Sequence, residues 1–218
     1  MTSESLFDVL PEEARRALLA SARRRRFGRG EVVFHEGDPG DSLHVIEKGH
    51  VAIRVSTPLG DVLTLVLLGP GEAFGEQALL GSPHRTASAV AVEGAETRVV
   101  LGDQFAELRR ENPAVTELLV EVLAAQVRRL SSHLLEALYV PAESRILRRL
   151  CNVTDSYASD DASPVVVPVT QQELAAMAGT TRPTVNRVLQ SLQDDGIVEL
   201  GRGRTTVLDP DRLRKAAG

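Results

Sequence analysis

The 218-residue chain has no tryptophan, one cysteine and an aromatic share of only 3%. Each shortage excludes something. So few rings supply poorly the stacking platform on which single-stranded nucleic acid is held. The single thiol, Cys151, rules out an internal disulfide and a cysteine-ligated cluster, and it fits a reduced intracellular setting. No run approaches the ~20 apolar residues of a membrane helix. The opening M-T-S-E-S-L-F-D has neither the positive start nor the apolar stretch of a signal peptide. A cytoplasmic protein with no membrane partner is therefore expected. His35, His44, His50, His84 and His133 form no i,i+4 pair and have no cysteine nearby, so no metal site is expected. There is no G-x-S-x-G and no nucleophile–base constellation, so no enzyme is expected either.

What is present supports a real core: 43% of residues are apolar and 25% are charged. The formal charge is −5, and residues 141–218 carry ten basic and ten acidic residues, so the acidic excess lies in the first part. Pro11 to Ala22 reads as an amphipathic helix, with Arg23 to Arg26 as its solvated, positively charged end rather than a phosphate-contact patch. From Gly30 to Leu101 the pattern becomes short β segments: 32–34, 42–46, 51–55, 62–68, 86–92 and 97–101. Turns such as E-G-D-P-G-D and P-L-G-D separate them. Such spacing predicts an antiparallel sandwich or barrel.

Inside this region, G-E-A-F-G-E-Q-A-L-L-G-S-P-H-R-T-A-S at 71–88 stands apart. A helix start after glycine offers N–H groups to an anion, and an arginine can pair with phosphate. The neighbouring glutamate suits a sugar hydroxyl. A phosphate beside a sugar suggests a nucleotide.

Asp103 is expected to cap a short helix ending at Glu111, and Pro113 opens a longer one. Val120, Leu123, Val127, Leu130, Leu134 and Ala137 recur at alternating spacings of three and four, the seam of a two-helix coiled coil. The opposite side carries Leu119, Val122 and Leu135. One helix can then pack on its own β domain and pair in a parallel homodimer. Pro141 breaks it, which places a joint at Tyr139 to Ala142. Ala142 to Asn152 resumes helix, and Asp155 to Pro164 reads as a polar loop.

Thr170 followed by Glu173 is a capping box for a helix reaching about Ala178. Gly179 supplies a turn, and Thr181 caps a second helix with Arg182 and Pro183 in its first turn. Two short helices joined this way predict a helix-turn-helix. The outward residues Arg182, Thr184, Asn186, Arg187 and Gln190 include two arginines and no acid, which suits the major groove. Gly196 to Leu200 and Thr205 to Leu208 form a hairpin with Arg202 and Arg204 at its tip, placed for phosphate. The DNA-facing candidates are Thr170, Gln171, Thr181, Arg182, Thr184, Asn186, Arg187, Arg202 and Arg204.

With these motifs in this order, the chain resembles the cyclic-AMP receptor protein and fumarate–nitrate reductase regulator family of bacterial transcription factors. G-E-V-V-F-H-E-G-D-P-G-D-S-L-H-V-I-E-K-G-H-V resembles the opening hairpins of its nucleotide domain. F-G-E-Q-A-L-L…R-T-A-S resembles its phosphate cassette, and T-Q-Q-E-L-A…T-R-P-T-V-N-R its helix-turn-helix. The resemblance implies an α+β protein in three parts: an antiparallel β-roll or jelly roll over 1–111, a dimerisation helix over 112–140, and a winged helix-turn-helix over 141–218. It implies a homodimeric regulator of a palindromic double-stranded operator, with RNA polymerase as a possible further partner and a cyclic nucleotide, first of all cyclic AMP, as effector. By position, Gly75, Gln77 and Ala78 would offer backbone to the phosphate and Glu76 would take the ribose hydroxyl. Arg85 and Thr86 would hold phosphate oxygens, and Ser131 on the long helix would stand near the base.

Three departures stand out. Aligned from Tyr139, Leu130 replaces a threonine that contacts adenine, and Gln126 falls where an arginine often supports the cassette glutamate; aligned on R-R-L at 128–130, these positions move by three residues. Pro183 replaces a base-reading glutamate, so the operator is expected to differ. The lack of a cysteine cluster argues against the iron–sulfur, oxygen-sensing branch. The alternatives are a family member that needs no effector and a nucleotide-sensing subunit that binds no DNA.

Overall fold

The computed structural model describes residues 22–57, 60–81, 84–158 and 164–218 together with Glu12 and Arg16, the side chains of 118 and 122 aside. Of the helix expected over Pro11 to Ala22, Glu12 and Arg16 are helical and Ala22 is not; the rest lies outside the described residues, as do 159–163 of the expected polar loop. The chain divides into two compact units. One holds the residues up to Val55 with Val66–Ser131, and the other holds Ser56–Leu65 with Ser132–Gly218.

Two four-stranded sheets make up most of the first unit, with only Ser56 and residues 62–65 of their strands falling outside it. One orders β1 (Arg23–Phe27), β8 (Ala95–Leu101), β3 (Ser42–Lys48) and β6 (Ala73–Phe74). The other orders β2 (Val32–Phe34), β7 (Ser88–Ala91), β4 (Val51–Ser56) and β5 (Val62–Leu68). All the pairings recorded in these sheets are antiparallel, matching the expected sandwich. Alternation sets two faces on each strand. Phe27, Ile46, Phe74 and Ala95 from one sheet meet Val51, Leu68, Ala89 and Ala91 from the other, and this is the interior of the sandwich.

β3 is buried on both faces. Its Leu43 and Val45 turn outward with Val100 into a second cluster. The partners there are Phe105 and Leu108 of α1 (Gly102–Glu111) and Val115 and Leu119 of α2 (Pro113–Tyr139). Asp103 lies in the first turn of α1 rather than at its cap, which is Leu101; the Gln104 side chain accepts from the Leu101 N–H at 3.2 Å.

The four-arginine run is a strand, not a helix end. Arg24 and Arg26 lie on the outer face, opposite Arg98 and Glu96. Arg24 meets Glu47 at 2.9 Å, Arg98 meets the same carboxylate at 2.6 Å, and Arg26 meets Glu96 at 3.3 Å. Like charges facing each other across strands are unfavourable, and these two glutamates offset that. Phe27, opposite Ala95, anchors the strand in the interior.

α2 runs without interruption to Tyr139, and Pro141 precedes α3 (Ala142–Tyr157), which extends five residues beyond the expected end. In the second unit, β9 (Val165–Val167), β10 (Val198–Gly201) and β11 (Arg204–Val207) form a sheet ordered β10-β11-β9. α4 (Gln171–Ala178), α5 (Arg182–Asp194) and α6 (Pro210–Ala217) complete it. Ile146, Leu150, Val167, Val185, Leu189 and Leu213 are fully buried at its centre. Burying one such side chain is worth about 1.5–3 kcal/mol. The local stop and start signals act as read: Thr170 N–H donates to Glu173 Oε2 at 2.7 Å, Glu173 N–H donates back to Thr170 Oγ1 at 3.2 Å, and Gly179 closes α4 at φ 58°.

Candidate functional site

The cassette begins at Gly75, whose φ is +87°. A methyl group there would stand 2.6 Å from Arg85 Nη1 and 2.9 Å from the Ser42 carbonyl, so geometry and space both demand glycine. Glu76–Leu79, immediately after it, form a single 3-10 turn. That is shorter than the helix start expected from sequence, so an anion's partners here are chiefly side chains. The preceding hairpin turn supports it closely: a Cβ on Gly40 would lie 2.2 Å from the Cβ of Ala78.

Arg85 is buried, with 6% of its surface exposed. Its Nη1 donates to the Ser42 carbonyl at 2.8 Å and the Gly75 carbonyl at 3.0 Å, and its Nη2 donates to Ser42 Oγ at 2.8 Å. The guanidinium stacks over Phe34 at 4.1 Å. Burial lowers its pKa, while the carboxylates of Asp41, Glu76 and Asp38 push it back up. Arginine stays charged under such shifts. Its Nε–H has no partner among the described residues. A buried charge with a free donor is costly unless an anion or another acceptor meets it.

Glu76 is also buried, at 4% exposure. It accepts from Gln126 Nε2 of α2 at 2.6 Å. Gln126 Oε1 in turn accepts from Gln77 Nε2 at 3.3 Å, and Gln77 Oε1 accepts from Thr86 Oγ1 at 2.9 Å. A neutral amide therefore supports the cassette glutamate. This matches the alignment from Tyr139 and not the one shifted by three. Leu130, one turn on from Gln126, shares its helix face, and it is half exposed. Ser131 is exposed, and helical geometry turns it about 140° away from Gln126. It is not brought together with the cassette residues in this chain.

His44 is a core histidine. It stacks on Phe74 at 5.0 Å and meets Thr97 Oγ1 at 3.3 Å. Desolvation, then the charges of Arg85 and Arg25, lower its pKa from 6.5 to about 3, so it is neutral. Among the described residues no group of three or more His, Cys, Asp or Glu side chains could hold a metal ion. None of the described helices is long and apolar enough to cross a membrane.

In the second unit α5 presents Arg182, Asn186, Arg187 and Gln190 to solvent and buries Val185, Val188, Leu189 and Leu192. Thr181 occupies the N-cap, but its hydroxyl meets Thr184 Oγ1 at 3.0 Å instead of capping an N–H. Thr170 and Gln171 are half-buried, and the Thr170 hydroxyl is occupied by the capping box. Arg202 sits in the turn of the hairpin and Arg204 opens β11, both exposed.

Sequence reasoning missed Ser42 and Phe34, which fix Arg85 from 43 and 51 positions away. It also missed three groups around Pro141. Arg145 donates from Nη1 to the Val140 carbonyl at 2.7 Å, from Nε to Ala178 at 2.9 Å and from Nη2 to Gly179 at 3.1 Å. Arg149 Nε donates to the Met177 carbonyl at 3.3 Å, and the same guanidinium pairs with Glu136. The i,i+4 spacing of Arg145 and Arg149 was the available signal.

Comparison with known proteins covers both regions of the chain. Residues 24–112 match the model of the cyclic nucleotide-binding domain, and residues 144–216 match that of the Crp-like helix-turn-helix domain. The fold and these two modules define a transcription regulator with a cyclic-nucleotide-binding domain and a DNA-binding helix-turn-helix. The cyclic AMP receptor protein of Thermus thermophilus is 34% identical over 217 residues, covering 100% of this chain and 98% of the relative. A CRP-like cAMP-activated global transcriptional regulator of Mycobacterium tuberculosis is 30% identical, covering 97% and 96%. The solved Thermus thermophilus catabolite activator protein has a TM-score of 0.57 at 34% identity, covering 98% of each chain. The chain belongs to the CRP/FNR family.

Proposed function

We propose that this regulator binds a cyclic nucleotide, cyclic AMP first, at Gly75, Glu76, Gln77, Ala78, Arg85 and Thr86, and binds a palindromic operator as a homodimer. Arg85 carries the nucleotide reading: it is a buried guanidinium whose Nε–H has no partner among the described residues, beside a buried carboxylate. Phosphate would take that donor and the Thr86 hydroxyl, and a ribose hydroxyl would donate to Glu76. Gln126 connects this carboxylate to α2, so occupancy would be felt by the long helix. The base would be met by the Leu130 face, with a methyl group where a hydroxyl was expected.

The division at 1–111, 112–140 and 141–218 follows the same reading. Val120, Val127, Leu130 and Leu134 are more than half exposed along α2. A parallel partner would cover this seam and hold two α5 helices about 34 Å apart, one turn of DNA. Thr181, Arg182, Thr184, Asn186 and Arg187 would then face bases, with Thr170, Gln171, Arg202 and Arg204 on the backbone. This role places the protein in the cytoplasm and implies RNA polymerase as a further partner.

The test is calorimetric titration with cyclic AMP and cyclic GMP, with and without palindromic DNA. Wild type should bind, and Arg85→Leu and Glu76→Gln should not; affinity unchanged in both variants refutes the pocket. A second reading, regulation without an effector, is favoured by one observation. The chain Thr86–Gln77–Gln126–Glu76 already engages the Thr86 hydroxyl and the Glu76 carboxylate, two of the groups a nucleotide would use. On that reading neither nucleotide binds and DNA affinity is the same with or without it.

A further inference from the structure

Gln77 stands in the 3-10 turn of the cassette, exposed to solvent. An exposed position in such a turn makes no demand for an amide, yet both ends of this one are engaged. Its Oε1 accepts from Thr86 Oγ1 at 2.9 Å, and its Nε2 donates to Gln126 Oε1 at 3.3 Å. Gln126 passes the chain on from α2, its Nε2 donating to Glu76 Oε1 at 2.6 Å. All four residues lie in the first unit.

The direction of this chain is fixed from one end. A carboxylate only accepts, so Gln126 turns its Nε2 to Glu76 and its Oε1 to Gln77. Gln77 must answer with Nε2, which leaves its Oε1 for Thr86. The Thr86 hydroxyl has one proton, and that proton is committed to Gln77. A phosphate oxygen is also an acceptor, so it needs the same proton. Turning Gln77 over does not release it, because Gln77 Oε1 would then oppose Gln126 Oε1, acceptor against acceptor. Turning Gln126 as well would set its Oε1 against the Glu76 carboxylate. A phosphate on the Thr86 proton and an unbroken chain to Glu76 therefore exclude each other.

We propose that Gln77 is an affinity-setting residue of the nucleotide pocket: in the empty protein its amide holds the Thr86 proton, and a cyclic phosphate binds by taking that proton away. The pocket is thereby tuned to a higher effector concentration than its phosphate and sugar groups alone would give. This inference rests on the nucleotide reading. It gives the Gln77 side chain the opposite effect to a group that holds ligand, since removing it strengthens binding.

The test is calorimetric titration of the full-length protein with cyclic AMP and cyclic GMP. Wild type is compared with Gln77→Leu, Gln77→Ala, Thr86→Val and the Gln77→Leu/Thr86→Val double variant. Gln77 and Thr86 are both exposed, so the replacements leave the cores intact. Gln77→Leu should bind about three- to fivefold more tightly than wild type, the lower range for one hydrogen bond, since both side chains also meet water. Gln77→Ala, which brings less apolar surface to the ligand, should tighten binding by the same factor. Thr86→Val should weaken binding, and in that background Gln77→Leu should change nothing, because there is no proton to hold. A merely structural effect of Gln77 would be equal in both backgrounds, and that result overturns the proposal. Wild-type binding that neither Gln77 variant tightens overturns it too, and leaves the pocket reading standing. Tightening by Gln77→Leu alone is apolar contact with the ligand and also overturns it. Binding seen only once Gln77 is replaced supports the proposal in its extreme form. No binding by wild type or by either Gln77 variant overturns the proposal and the pocket reading together.

Discussion

Replacing Gly75 by alanine tests the packing that presents Arg85. The backbone there has φ +87°, a conformation that costs an L-residue about 1–2 kcal/mol. The new methyl group also meets Arg85 Nη1 at 2.6 Å and the Ser42 carbonyl at 2.9 Å. The carbonyl belongs to β3 and cannot retreat, so the guanidinium must. It then gives up hydrogen bonds to Ser42 and Gly75, each worth about 0.5–1.5 kcal/mol net and more where the donor is charged. Gly75→Ala should therefore destabilise the first unit by about 2–5 kcal/mol. The spectroscopy separates the two units. The only two tyrosines, Tyr139 and Tyr157, both lie in the second unit, and there is no tryptophan. Urea unfolding followed by the far-ultraviolet β signal should shift its midpoint strongly, while the tyrosine transition stays in place. A β-signal midpoint equivalent to less than ~0.5 kcal/mol of change would refute the steric reasoning.

His44 gives a pH signature. Its folded pKa is about 3 against 6.5 when unfolded, so the unfolded state binds the extra proton. Stability should be fully present above about pH 6.5 and fall by about 1.4 kcal/mol per unit toward pH 3; His44→Gln should flatten that slope in urea titrations at pH 5 and 7. Thr170→Ala removes one acceptor of the capping box and should cost about 1 kcal/mol of the second unit's stability. DNA affinity lost beyond that, in anisotropy on fully folded protein, would show that the hydroxyl also reaches DNA. Arg187→Ala should weaken operator binding by about 1–3 kcal/mol and relax one base position if it reads a base edge, or lower the salt slope by about one if it meets phosphate. An unchanged gel shift would remove Arg187 from the interface.

The features legible in the sequence are those whose causes are local. Thr170 and Glu173 are three residues apart and make a capping box anywhere they start a helix. Pro141 cannot continue a helix, and Gly179 accepts φ 58° without strain. The strand Arg23–Phe27 is different. Its four arginines do not favour a buried sheet, and it is held by Phe27 in the interior and by Glu47 and Glu96, which only the fold brings alongside. Val165–Val167 stayed hidden for a related reason, since three residues between Pro164 and Pro168 are a strand only when β11 supplies a partner. α6 was legible and overlooked: Asp209 accepts from the Arg212 N–H at 2.9 Å, ahead of Pro210 in the first turn. In the cassette, residue types were readable and their partners were not. Arg85 could be marked from its neighbours in sequence, but Ser42, Phe34 and Gln126 reach the site through tertiary packing.

β3 has one more consequence. Its Leu43 and Val45 belong to the core shared with α1 and α2, its Ile46 belongs to the interior of the sandwich, and Ser42 holds Arg85 through two oxygens. It works as a party wall, plastered on both sides and carrying a fixture at one end. A substitution in it disturbs two cores together, and tightly packed cores tolerate little change of volume. Evolution can therefore rework this sensor cheaply only from the side of α2 and its surrounding turns. New effector preferences in such a scaffold should arise by changes at positions such as Gln126 and Leu130, with the wall behind them left as it is.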